Sequence, residues 1–346
     1  MLPWATGAAA ARPAEASCLA RIESEFVSFP TERFPQCHCS SVVELPSGDL
    51  LCAWYAGEHE AAADEAVLTA RKRRGASAWD EPVVVADTPG KPEGNCILFV
   101  MPDGRLWLLY GTMHGRLDGH WGPGVRWDTV DQKCRVSEDD GWTWGPARFI
   151  RKEWGSVFRC KPILLANGEV IVGFECRDEM SRFLITGDCG ATWEYGFPIA
   201  GWENQHPTLI QRGDGVIVAL LRPGDDQPRV GKAYSYDNGR TWTKAVATDI
   251  PNPGAAVDMV KMADGRVALA FNDSERGRSP LTLALSRDDC ETWYAKRNIE
   301  TDPDPGSFSY PGIIQDRQGY LHITYSYGRT NIKHVKVEPD WIEGKD

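Results

Sequence analysis

The stretch Ser137–Trp144 reads SEDDGWTW, and the pattern returns as TGDCGATW (Thr186–Trp193), SYDNGRTW (Ser235–Trp242) and SRDDCETW (Ser286–Trp293). Its central acids, Asp139, Asp188, Asp237 and Asp288, are spaced by 49, 49 and 51 residues. Four copies of S/T-x-D-x-G/C-x-T-W at a near-constant period are a repeat, and a period of that length marks a stacked supersecondary unit. RGASAW, ending at Trp79, reads as a degenerate fifth copy. Within the box the Asp can accept hydrogen bonds from turn amides, the Gly supplies a positive φ, and the Trp wedges into a blade core. Cys290 in the Gly place of the last box shows that the turn tolerates change. The boxes are architectural and leave the chemistry open.

A second repeat interleaves with the first. PSGDLLCAW (46–54), PDGRLWLLY (102–110), ANGEVIVGF (166–174), GDGVIVALL (213–221), ADGRVALAF (263–271) and RQGYLHITY (317–325) each place a Gly turn before an apolar run. Each follows another short apolar run, such as SSVVEL or PILLA, which is a hairpin signal. Six hairpins in about 300 residues allow roughly 50 residues per unit, enough for four short strands. The expected fold is all-β: a six-bladed β-propeller with four-stranded antiparallel blades. The last hairpin has no box after it, so ring closure is expected to pair a strand from before Ser40 with strands near 320–337. Residues 1–20 are expected to be a flexible leader and 21–346 a single propeller domain.

Composition narrows the function classes. The chain has 346 residues, with 38 basic and 49 acidic side chains giving a net charge of -11, which disfavours nucleic-acid binding. No apolar run approaches the ~20 residues that span a bilayer. The 10 Cys are too sparse for a disulfide scaffold, and Cys37 with Cys39 gives no zinc spacing. Residues 1–17 lack the basic start and apolar core of a secretory signal, so a cytoplasmic location is expected. No cofactor, metal, nucleic-acid or membrane partner is expected. Trp54, Trp127, Trp154 and Trp202 are extra to the boxes and are candidates for blade packing or a sugar platform.

Asp boxes on six hairpins resemble the sialidase (neuraminidase) superfamily, and more closely its members with bacterial-neuraminidase repeats. The resemblance covers nearly the whole chain after residue ~35 and implies candidate site positions. His38, in HCSSVVELPSG, stands where the family places the first clamp Arg. Asp64 in AAADEAVLTARKRR matches the acid/base position, with Glu60 a close rival. Glu203 in WENQHPTL resembles the catalytic Glu, though Glu175 in GFECRDE could fill that role. Arg222 in ALLRP and Arg278 in GRSPLTLALSRDD resemble the other two clamp arginines. Tyr310 in SYPGII resembles the nucleophile, with Pro311 in place of a Ser.

These residue types suit one chemistry. Guanidinium forks bind a carboxylate through paired, charge-assisted hydrogen bonds. Beside a carboxylate-bearing anomeric carbon, a phenol avoids the repulsion that an acidic nucleophile would meet. The resemblance therefore implies an exo-acting, retaining glycoside hydrolase on a terminal acidic sugar, with carbohydrate as the partner. His38 is shorter than Arg and charged only part of the time near neutrality, so it should weaken or re-aim the clamp. His59, His114 and His206 are expected in loops lining the same mouth. With His38 and Tyr310 they also permit a lyase acting on uronates. A non-catalytic carbohydrate-binding propeller is the third reading.

Overall fold

The computed structural model describes residues 21–345 apart from 116–126, 177, 179, 225–226, 303 and 305. Its strands form six antiparallel sheets arranged as a six-bladed β-propeller. Blade 1 runs from Gln36–Glu44 through Leu50–Gly57 and Ala66–Lys72 to Val83–Ala86. The innermost strands of blades 2, 4, 5 and 6 are Glu93–Val100, Asn204–Gln211, Asp258–Lys261 and Phe308–Gln315. In blade 3 the inner strand is split into Ser156–Phe158 and Ile163–Leu164, both paired with Val170–Cys176. The expected leader, residues 1–20, lies outside the described residues.

Each hairpin turns on the glycine that the repeat marked. Gly48, Gly104, Gly168, Gly215, Gly265 and Gly319 have φ between 85° and 94°, where a Cβ is disfavoured. The ring closes as the sequence suggested: Ile22–Ser28 pairs antiparallel with Asn331–Val337 and becomes the outer strand of blade 6. The edge of Asn331–Val337, which would otherwise be open to another chain, is thereby paired within the ring.

The boxes repeat one hydrogen-bond pattern. In the first, Asp139 Oδ1 accepts from Thr143 N at 2.8 Å, its Oδ2 accepts from Thr143 Oγ1 at 2.6 Å, and Gly141 N donates to Ser137 Oγ at 2.7 Å. The expectation that the Trp wedges into a blade core needs a correction. Trp144, Trp193, Trp242 and Trp293 pack on the apolar layer between their own blade and the preceding one. Trp79 does the same at the seam between blades 6 and 1, which supports its degenerate box. Between blades 5 and 6 the layer instead receives Trp341 and Ile342 from a short helix, Pro339–Ile342. Burying aromatics between blades contributes about 2–3 kcal/mol each and fixes the blade angle. Among the described residues no helix is long and apolar enough to cross a membrane.

Candidate active site

The site is built from irregularities in the inner strands. Strand register shifts occur at His38/Ser41, Gly94/Ile97, Gln205/Thr208 and Ser309/Gly312. Within them Cys39, Asn95, His206 and Tyr310 take left-handed φ of 57°, 47°, 49° and 53°. A non-glycine residue there costs on the order of 1 kcal/mol, and such bulges re-aim side chains beside active sites. Pro207 and Pro311 follow two of them; proline lacks the N–H that an unpaired bulge position cannot use.

The bulges bring blades 1, 4 and 6 together on the channel. The His38 ring meets Tyr310 edge-on at 4.6 Å between centroids, and the His206 ring lies 5.6 Å from Tyr310. Guanidinium groups surround the phenol. Arg222 Nη1 donates to its hydroxyl at 3.4 Å, while the Arg159 and Arg278 guanidinium carbons lie 5.1 and 5.4 Å from its ring centre. Arg159 is buried and donates to the Pro311 carbonyl at 3.0 Å, and Arg278 donates to Ser309 Oγ at 3.2 Å. A fourth, Arg329, forms an ion pair with Glu60 at 2.7 Å.

The electrostatics of this cluster are unbalanced. Among the described residues Arg159, Arg222 and Arg278 have no carboxylate in ion-pair contact, in a protein whose net charge is -11. Burial, and then the like charges of Arg222 and Arg329, hold Arg278 below the ordinary arginine range despite Tyr310. His38 is 2% exposed, and burial with Arg329, Arg278, Arg159 and Arg222 pushes it well below 6.5. It is neutral at pH 7. The partly charged imidazole expected at this position is therefore corrected: the guanidinium groups that would share a ligand's carboxylate keep His38 from carrying charge.

Glu175 lies 3.2 Å from His206 Nε2. Burial opposes its ionisation, but His206 and Arg222 outweigh that and hold it below its usual range. His206 is lowered by burial, which Glu175 only partly offsets. His206 sits in the fourth blade's inner strand, where the sequence suggested a loop.

Of the sequence candidates, His38, His206, Arg222, Arg278 and Tyr310 meet in one cluster. Glu60 borders it through Arg329 and lines a narrow cleft with His38, Tyr55, His59 and Glu65. Asp64 is exposed, and both its oxygens accept from Glu58 N at 3.2 Å. Glu203 is exposed just before its strand, with its carbonyl accepting from Gly224 N. No described contact joins Asp64 or Glu203 to Tyr310, and the carboxylate at His206 and Arg222 is Glu175. Trp54 is buried core, Trp202 packs between blades 3 and 4, and Trp154 is exposed and stacked on His114.

Arg159, Arg329, Tyr55 and Glu65 escaped the sequence reading. For Arg159 a signal existed. Lys161-Pro162, His206-Pro207 and Tyr310-Pro311 precede apolar runs in three blades, and Arg159 stands beside the first. Arg329 follows a turn glycine and looks like any solvated arginine.

Residues 48–323 match the family described as BNR repeat-like domain. Among solved structures, the chain is similar to the Hadza microbial sialidase Hz136 at 18% identity and a TM-score of 0.75, covering 89% of this chain and 66% of that one. A protein of unknown function from Dyadobacter fermentans matches at 18% identity and a TM-score of 0.76, over 92% and 99%. A leech intramolecular trans-sialidase complexed with 2,7-anhydro-Neu5Ac matches at 14% and a TM-score of 0.77, over 94% and 71%. At these identities the likeness is one of fold. No curated protein sequence matches the chain at a significant level.

Proposed function

Because the chain belongs to the BNR repeat-like domain family and to the sialidase-like superfamily, we propose that it is a sialidase-like glycosidase acting on a terminal acidic sugar. The observation that carries this reading is the group of unpaired guanidiniums around Tyr310. Burying like charges without a counterion is costly, and a carboxylate-bearing ligand relieves that cost. Arg222 and Arg278, from adjacent blades, are the clamp. The sialidases among the structural neighbours supply the substrate class by analogy only.

In the reaction so read, the acid group rests against the arginines and the anomeric carbon faces the Tyr310 hydroxyl. Glu175 with neutral His206 takes the phenolic proton as the oxygen attacks, which is the work of a base paired to a nucleophile. Asp64, at the exposed edge, protonates the leaving oxygen and then activates water, giving net retention. Release of a fluorescent umbelliferone from its N-acetylneuraminic acid glycoside, or from a uronic acid glycoside, tests the reading. Turnover should be lost in Tyr310→Phe and Asp64→Asn. An active Tyr310→Phe protein would sink the tyrosine mechanism.

One observation favours a second reading. His38 and His206 are both neutral and both lie against Tyr310, which also suits proton abstraction next to a uronate carboxylate, with elimination. An unsaturated product absorbing in the ultraviolet, formed without water uptake, would establish the lyase in place of the hydrolase.

A further inference from the structure

Next to the arginine cluster the protein buries a second set of polar atoms that are neither charged nor paired. Both ring nitrogens of His38 and Oε1 of Glu65 are buried without a hydrogen-bond partner. His38 is 2% exposed and Glu65 is 1% exposed. Tyr55, on the second strand of blade 1, sets its ring edge-on to His38 at 5.8 Å. All three line the cleft that Glu60 and Arg329 border. An orphaned buried polar group costs about 1–3 kcal/mol, so two such side chains on one cleft call for a common partner.

We propose that this cleft is a subsite for one uncharged hydroxyl of the sugar, read by an unpartnered ring nitrogen of His38 and the carboxyl of Glu65. The inference rests on the arginine cluster binding a sugar acid, as argued above, and adds what lies beside the acid group.

Size and charge decide between ligand groups. The cleft holds about 10 Å³ of free space, room for one water or one hydroxyl and too little for a ring. It cannot hold an aglycone, which argues against Glu65 as donor to the leaving oxygen. A second carboxylate is disfavoured as well. Burial, with Glu60, Asp64 and Glu93 nearby, raises Glu65 well above the usual carboxyl range, so it keeps its proton. Its Oε2 already accepts from Ala61 N at 2.9 Å, while Oε1 has no partner. The ring nitrogen of neutral His38 that faces the cleft offers a donor or an acceptor, and a protonated carboxyl offers the complement. That set matches a hydroxyl, which both gives and accepts. A clamp Arg at position 38 could only donate, so the histidine changes which group is recognised at this place.

Calorimetry with D-glucuronate, D-galacturonate and N-acetylneuraminate, followed by monodeoxy counterparts of whichever binds, tests the inference. One deoxy position should weaken binding to the wild-type protein about tenfold or more. The same deletion should cost less than about twofold in His38→Phe or Glu65→Met, while Glu65→Gln, which keeps a donor and an acceptor, retains the penalty. If Glu65→Met does not fold, His38→Phe carries the comparison. Deoxy penalties that are equal in wild type and His38→Phe overturn the subsite. So does a ligand-bound structure in which the cleft holds only a permanent water. The underlying reading fails differently: the acids would not bind at all, or Arg222→Met would bind them as well as wild type.

Discussion

Two histidine clusters sit at opposite ends of the blade 6–blade 1 seam, and they are finished differently. At the far end, among the hairpin turns, Asp316 Oδ2 meets His322 Nε2 at 3.0 Å, and His322 Nδ1 meets His334 Nε2 at 2.9 Å. His334 Nδ1 then meets Glu25 Oε1 at 3.0 Å, and Glu25 pairs with Lys72. Every ring nitrogen has a partner. At the channel mouth both nitrogens of His38 and Nδ1 of His206 have none, and nor do Nε of Arg159 and Arg222. Both clusters hold buried histidines. Satisfied networks rigidify a fold, whereas unsatisfied ones carry a cost that a ligand can remove. The seam therefore reads as a clasp for the closing strand, and the mouth as a binding surface.

The sharpest way to break this contrast is to remove a charge from each end. Arg278→Met takes away a guanidinium that its own neighbours repel. Turnover of an acidic glycoside should fall on the order of a hundredfold or more, because a paired charge-assisted contact is lost. The melting temperature should hold or rise, as replacing a strained functional charge commonly does. A marked fall in melting temperature with turnover intact would reverse the assignment. Glu25→Ala is the mirror image. It leaves His334 and Lys72 without their carboxylate and should cost about 3 kcal/mol in denaturant unfolding. Activity per folded molecule should stay within about twofold of wild type. If activity collapses without unfolding, the two ends are coupled and the clasp is not merely structural.

The architecture was legible because it is written as periodicity. Asp139 through Asp288 give the count of boxes, and Gly48 through Gly319 give the count of hairpins. The missing sixth box even pointed to closure by the N-terminal strand, which Ile22–Ser28 supplies. The meeting of the site residues was legible only where a family position carried it, as at Arg222, Arg278 and Tyr310. Glu203 and Glu175 show the limit. Both precede or end strands in neighbouring blades, and nothing local says which carboxylate reaches His206 across the blade boundary. Glu65 was hidden beside Asp64 for a related reason. The turn before strand Ala66–Lys72 leaves Asp64 solvated, while Glu65 is buried against Gly57 and Gly94. Arg329 owes its place to a turn at φ 61°, which sequence spacing does not reveal.

The two ends should also respond differently to acid. Burial lowers His334 to about 4 despite Glu25, and Glu25 is lowered to about 2 by His334 and Lys72, which outweigh its burial. Between pH 6.5 and 4 the unfolded chain takes up a proton on this histidine that the folded chain refuses. Stability is therefore full above about 6.5 and falls by up to a few kcal/mol as pH drops to 4. Glu25 continues the loss between 4.5 and 2, since the unfolded carboxyl again binds the proton first. In His334→Gln the fall between 6.5 and 4 should flatten in a pH series of urea melts. An unchanged slope would mean that His38 and His206, also lowered by burial, carry the acid sensitivity instead.

The smallest effect belongs to a box, which serves as the control lying at neither end. Asp237 accepts from Thr241 N at 2.8 Å and Thr241 Oγ1 at 2.5 Å, and Ser235 Oγ donates to it at 2.8 Å. The turn is half exposed, so water replaces most of what Asp237→Ala removes. Ser235 Oγ still accepts from Gly239 N at 2.8 Å, and Trp242 still packs between blades 3 and 4. The loss should be about 1 kcal/mol, typical of a capping carboxylate. Turnover and the acid slope should not change, because no residue of the Ser235–Trp242 box touches Tyr310 or the Glu25 clasp among the described contacts. If Asp237→Ala lowered turnover tenfold while costing only that much stability, the blade 4 box would be setting the angle at which Arg222 and His206 enter the mouth. The boundary between architecture and site would then have to be redrawn through the blade, with its outer turn counted as part of the active site.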